Sequence, residues 1–123
     1  QPEFNLRGVF RTGADGRYWF RAVKPKFYPV PTDGPVGALL EKLGRHCFRP
    51  AHFHYILEKD GFDRLTTHIF DPDDPYIGSD AVFGVKESLM ADFRQVDDPA
   101  RAAEHGFDGP YYDVEHDFVL API

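Results

Sequence analysis

"RPAHFHYIL", residues 49–57, decides how the rest of the chain is read. It carries two of the chain's six histidines, His52 and His54, at alternate positions of an apolar run. Aromatic and β-branched residues dominate it, which predicts a strand. Residues i and i+2 of a strand project to one face. His52 and His54 then point one way, and Phe53 and Tyr55 the other. Two neutral imidazoles on one strand face are either two arms of a metal site or a pair of half-exposed histidines satisfied by water and carbonyls. The spacing alone leaves both readings open.

A second strand is expected at about 65–70, joined to the first by the turn "EKDGFD" (58–63). Upstream, "NLRGVFR" (5–11) and "RYWFRAV" (17–23) are strand candidates around "TGADG", whose Asp-Gly pair has hairpin-turn chemistry. "KPKFYPVPTDGPVG" (24–37) has four prolines in fourteen residues and so reads as a loop, since proline removes backbone donors and breaks helices and central strands. "VGALLEKLG" (36–44) has a short amphipathic helical pattern on Leu39, Leu40 and Leu43, closed by Gly44. Downstream lie the acidic, proline-broken loop "DPDDPYIGSD" (71–80) and "AVFGVKESLMADF" (81–93), which starts extended and ends in a helical turn. A loop with a turn of helix (97–110) and a closing strand (111–122) complete the chain. No internal repeat is visible. The expected class is all-β: a β-sandwich core with short helical insertions and long loops at one end, where function would sit.

The chain's 123 residues suit one domain with a real core. An aromatic content of 15% favours a β-rich interior. The balance of 14 basic against 20 acidic residues argues against nucleic acid as a partner, because phosphate binding needs a basic surface. The one cysteine, Cys47, allows no intrachain disulfide and reads as a small buried residue. No apolar run approaches the ~18 residues of a membrane span and no signal peptide is visible, so a cytoplasmic enzyme or binding domain is the expectation.

"FYPVP" sets Tyr28 among prolines that restrict the loop and can aim its phenol. The plainer alternative is a loop anchor. Phenolate is a hard anionic donor, and two imidazoles with a phenolate suit ferric iron better than zinc, whose usual partners are Cys, His and carboxylate.

Four motifs together carry a specific resemblance: Y-x-x-P-x-D-G-P (28–35), G-R-H (44–46), R-P-A-H-x-H (49–54) and D-A-V-F-G-V (80–85). With "NLRGVFRTGADGRYWFRAVK" before them and "LTTHIF" (65–70) between, most of the chain resembles the intradiol ring-cleaving dioxygenases. That family comprises the catechol, chlorocatechol and hydroxyquinol 1,2-dioxygenases. The resemblance implies a β-sandwich holding one non-haem Fe(III) per chain through two tyrosines and two histidines. By position, Tyr28 is implied as the ligand that leaves iron when substrate binds, and His52 and His54 as the histidine ligands. Arg49 is implied as the group that offsets negative charge on the substrate ring, where a guanidinium suits an anionic catecholate. His68 stands where many catechol enzymes carry Gln, as in hydroxyquinol and some chlorocatechol enzymes, and is expected beside the metal rather than on it. Asp33, Gly34, Pro35 and Val36 are implied, with Arg49, to line the substrate pocket.

The family's first tyrosine ligand lies upstream of "NLRG". Residues 1–123 are therefore expected to be a catalytic domain lacking its N-terminal part, both that tyrosine and the helical region through which the full-length protein forms a homodimer. The implied partners are a small aromatic diol and O2, which enters the product with both atoms as the ring opens between the hydroxylated carbons. Hydroxyquinol going to maleylacetate is the expected reaction; catechol or chlorocatechol going to cis,cis-muconates is the alternative. A non-catalytic β-sandwich module with an incomplete iron site is a competing reading from another class. A ferrous cupin is another, though no carboxylate follows the H-x-H at the usual short spacing.

Overall fold

The computed structural model describes residues 3–123. In chain order the elements are β1 (Tyr28–Pro29), α1 (Pro35–Lys42), β2 (Phe48–Arg49), β3 (His52–Leu57), β4 (Leu65–Phe70), a 3-10 turn at Glu87–Leu89, β5 (Arg94–Val96), α2 (Pro99–Glu104) and β6 (Tyr111–Asp113). The strands pair as three antiparallel ladders, β1 with β2, β3 with β4 and β5 with β6. Strands with two short helices are what the all-β expectation requires.

The β3–β4 hairpin is the main ladder, with His52 opposite Phe70, His54 opposite His68 and Leu57 opposite Leu65. The chain reverses through Asp60 and Gly61, and Gly61 takes φ +80°, a left-handed conformation that glycine adopts without steric cost. The ladder continues past its open end, since Asp71 N–H donates to the Ala51 carbonyl at 3.1 Å, and β4 takes a further parallel bridge where Ala91 N–H donates to the Phe70 carbonyl at 3.1 Å. One face of the hairpin carries the histidines. The other carries Phe53, Tyr55 and Ile69, which pack with Ala91, Phe93, Val114 and Phe118. Ile69 and Phe70 are almost wholly buried. Removing each from water contributes about 1.5–3 kcal/mol, so the strand that presents His68 is held by the two residues that follow it.

The segments expected as strands at 5–11 and 17–23 carry no ladder. Their turn does form, with Gly13 N–H donating to the Arg17 carbonyl at 2.9 Å and Gly16 at φ +80°. Beyond it the second segment is held by side chains instead. Tyr18 Oη donates to the His116 carbonyl at 2.8 Å, and the Phe20 ring meets those of Phe53 and Tyr55 at 6.0 and 6.3 Å. The alternation survives, with Tyr18 and Phe20 half-buried and Trp19 exposed between them.

Helix α1 begins with Gly34 as N-cap and Pro35 in its first turn, where proline's missing N–H costs nothing. It ends before Gly44 at φ +61°, as the sequence leads one to expect. Its apolar stripe is only partly used: Leu40 is buried, whereas Leu39 and Leu43 face outward. Gly37 is a close-approach position, because a Cβ there would collide with the Thr32 carbonyl. The proline-rich loop is not wholly irregular, since Tyr28–Pro29 pairs with Phe48–Arg49. The closing strand is broken rather than continuous: Tyr111–Asp113 pairs with Arg94–Val96, and further on Pro122 makes an isolated antiparallel bridge to Phe62. α2 is capped by Asp98, whose carboxylate accepts from the N–H groups of Ala100 and Arg101. No helix among the described residues is long and apolar enough to cross a membrane.

Candidate metal centre

Two registers bring the site together. In the β1–β2 pair Tyr28 lies opposite Arg49, so their side chains share a face. In the β3–β4 pair His54 lies opposite His68. The turn at Pro50–Ala51 joins the two pairs. The Tyr28 ring stands 5.7 Å from that of His52. The His68 ring meets His52 edge-on at 4.9 Å and His54 at 4.6 Å. Tyr28 and His54 are exposed, His52 and His68 are half-buried, and Arg49 is buried. The cluster therefore opens to solvent on the phenol side and is closed behind by Phe70, 5.3 Å from His52.

Imidazole protonation suits ligation. His52 Nδ1 is 2.7 Å from the Pro50 carbonyl oxygen. A carbonyl only accepts, so Nδ1 carries the proton and Nε2 keeps its lone pair. Burial lowers the His52 pKa below the ordinary histidine value, with the Arg49 charge acting in the same direction. His68 falls further, to about 4, through burial first and then the neighbouring His52, His54 and Arg49. Both rings are neutral at neutral pH, the form in which histidine binds metals.

Arg49 is held from behind. Its Nε and Nη2 donate to the two carboxylate oxygens of Asp80 at 3.1 and 3.2 Å. Burial opposes the guanidinium charge, but the Asp80 bonds and the Tyr28 phenol outweigh it and raise the pKa. Asp80 itself is pulled below the usual carboxylate range: burial works against its charge, and Arg49 with the N–H groups of Gly84 and Val82 prevails. Asp74 accepts from Ala51 N–H at 3.0 Å, which pins the backbone immediately before His52. Asp71 pairs with Lys24 at 2.7 Å.

The contacts that unite Tyr28, Arg49, His52, His54 and His68 do not include Asp33, Gly34, Pro35 and Val36, which form the exposed entry to α1. The other tyrosines are engaged elsewhere. Tyr55 faces the core, and burial, then Tyr18, pushes its phenol up to about 12. Tyr76 stacks on Phe48 at 4.8 Å, Tyr112 lies under Lys24 at 4.2 Å, and Tyr111 stacks on Phe107 at 5.0 Å.

Among the described residues no group of three or more His, Cys, Asp or Glu is placed to hold a metal. A site built from histidines and carboxylates alone is thus not what these residues form. The imidazoles of His52 and His54 and the Tyr28 phenol are a donor set that fits ferric iron, with His68 as a neighbour. Asp74 and Asp80 were not singled out in the sequence as supports of the site. The available signal was weak: acidic residues in a proline-broken loop ordinarily read as solvated, yet these two are buried.

A family model described as dioxygenase matches residues 1–122. The chain is 70% identical over 122 residues to a hydroxyquinol 1,2-dioxygenase of Rhizobium sp. (strain MTP-10005), covering 98% of this chain and 41% of that protein. It is 44% identical over 96 residues to a catechol 1,2-dioxygenase of Candida albicans, covering 78% and 32%. Among solved structures, a hydroxyquinol 1,2-dioxygenase from Pseudomonas putida DLL-E4 superposes with TM-score 0.87 at 42% identity, over 100% of this chain and 43% of that one. A catechol 1,2-dioxygenase from Pseudomonas arvilla C-1 gives TM-score 0.89 at 36% identity, over 99% and 40%. The chain thus spans about two fifths of the length of the hydroxyquinol relative.

Proposed function

The chain belongs to the intradiol ring-cleavage dioxygenase family, and from that premise we propose that it is the part of a hydroxyquinol 1,2-dioxygenase that supplies three of the donors to one Fe(III). Tyr28, His52 and His54 hold the ion in this reading. The observation that carries it is their convergence, from two separate strand pairs, on one opening edged by the buried Arg49. This reading calls for a further tyrosine ligand from outside residues 1–123 and for a homodimer of the full-length protein.

Iron, when bound, supplies a Lewis acid and a template for the two adjacent substrate oxygens. The chain's own groups do the rest. Tyr28, as the phenolate it would be in the donor set, would take a proton from a substrate hydroxyl as the diol binds, acting as a positioned base. The Arg49 guanidinium offsets the carbanion character of the ring carbon that O2 attacks, from a seat where little water screens it. His68, neutral, bonds the third ring hydroxyl through one nitrogen. Both atoms of O2 enter the product, the ring bond between the hydroxylated carbons breaks, and maleylacetate leaves.

The substrate assignment draws on the 70% identical relative and on His68 beside the histidine pair. A site that bonds a substrate hydroxyl discriminates strongly against the analogue lacking it. Oxygen uptake by the full-length enzyme should give a higher kcat/KM for hydroxyquinol than for catechol or 4-chlorocatechol under matched conditions. Clear preference for either competitor refutes the hydroxyquinol assignment and leaves the family untouched.

A further inference from the structure

Arg49 is useful only if its charge is aimed, and an arginine side chain left to itself is among the most mobile in a protein. The structure contains a device that removes this freedom. Each oxygen of Asp80 takes one guanidinium N–H and one backbone N–H. Oδ1 accepts from Arg49 Nε at 3.1 Å and Val82 N at 3.3 Å. Oδ2 accepts from Arg49 Nη2 at 3.2 Å and Gly84 N at 2.8 Å. The carboxylate is itself fixed by the loop it belongs to, so its bidentate pair with Arg49 sets the plane of the guanidinium. The edge not engaged by Asp80 is left for the phenol side, where Tyr28 stands opposite.

The loop is shaped for this contact. Phe83 N–H closes a turn onto the Asp80 carbonyl at 3.1 Å, and Phe83 takes φ +56°. A left-handed aromatic residue costs about 1–2 kcal/mol, which the bonds gathered at Asp80 offset. That turn delivers Gly84 N–H to the carboxylate. Gly84 has no side chain in the one place where a side chain would intrude: a Cβ would lie 2.9 Å from Arg49 Nη2 and 3.1 Å from Asp80 Oδ2.

We propose that Asp80 and Gly84 form a seat that aims the Arg49 guanidinium at the reacting ring, with Asp80 as a positioning residue acting through Arg49. The proposal rests on the reading of Arg49 given above. In Asp80→Asn the amide NH2 faces one of the arginine N–H groups, so one of the two bonds is lost and the plane is freed.

The test uses the full-length enzyme, iron-loaded for turnover and metal-free for the Arg49 15Nε–1Hε signal, which is identified by its loss in Arg49→Lys. Asp71→Asn serves as a control, since Asp71 is also buried but pairs with Lys24. Asp80→Asn should keep its iron, lower kcat about tenfold with KM changed less than threefold, and move the Arg49 Nε–H signal into fast exchange. Asp71→Asn should leave kcat and that signal as in the wild type. Gly84→Ala keeps both charges and should lower kcat in the same direction, which carries the test if Asp80→Asn does not fold. Wild-type turnover in Arg49→Lys overturns the reading of Arg49. With Arg49→Lys impaired, wild-type turnover and an unchanged Nε–H signal in Asp80→Asn, or in Gly84→Ala should the former not fold, overturn the seat.

Discussion

His68 offers a prediction in which the sign and size follow from its surroundings. In the folded chain its pKa falls to about 4, through burial and then the proximity of His52, His54 and Arg49, whereas an unfolded histidine titrates near 6.5. Above pH ~6.5 the ring is neutral in both states and contributes nothing. As pH falls through the interval down to about 4, the unfolded chain takes up a proton that the folded chain refuses, so stability falls with pH. The full interval corresponds to at most about 3 kcal/mol. His68 is half-buried, and solvent screening reduces this to about 1–2 kcal/mol. The perturbation is His68→Gln, which keeps polar atoms at the position and removes the titration. Urea unfolding of the metal-free, full-length protein should be followed from pH 7.5 to 5, above most carboxylate titrations. The wild type should lose about 1 kcal/mol more stability than the variant over that range. Curves that run parallel, or a wild type flatter than the variant, would refute the argument that His68 is held neutral by its neighbours.

His52→Ala or His54→Ala in the full-length protein should abolish iron retention, measured as metal per chain after purification; stoichiometric iron in either variant would remove that residue from the donor set. Tyr28→Phe keeps the ring that packs near His52, so the fold should persist while the visible phenolate-to-iron band changes shape and kcat falls. An unchanged spectrum and kcat would make Tyr28 a loop anchor only. Gly37→Ala pushes a methyl into the Thr32 carbonyl and should cost about 1–3 kcal/mol with a lowered denaturation midpoint; wild-type stability would show that the loop ahead of α1 yields freely.

The β3–β4 hairpin was legible in the sequence because its causes are local. Alternation over 52–57 and 65–70 sets the faces, and Gly61 supplies the left-handed turn that fixes the register. The same holds for α1, bounded by Pro35 and Gly44. The shared face of the H-x-H pair was legible from its spacing, whereas Tyr28 reached the donor set only through the motifs that resemble the family. Strands at 5–11 and 17–23 were misjudged for a physical reason: alternation reports which side chains turn inward, and a ladder needs a neighbouring backbone edge as well. Tyr18 and Phe20 do turn inward, but Phe20 is met by the rings of Phe53 and Tyr55 and Tyr18 by the His116 carbonyl.

Tertiary structure alone decided the electrostatics. Arg49 and Asp80 are 31 positions apart, and Ala51 and Asp74 are 23 apart. No local pattern says which of the chain's many acids will be taken out of water to meet a particular donor. Desolvation of Asp71, Asp74 and Asp80 depends on what the rest of the chain lays over them. The sequence by itself determined which atoms could bind a metal; the closing of one loop against one strand decided where the arginine beside them points.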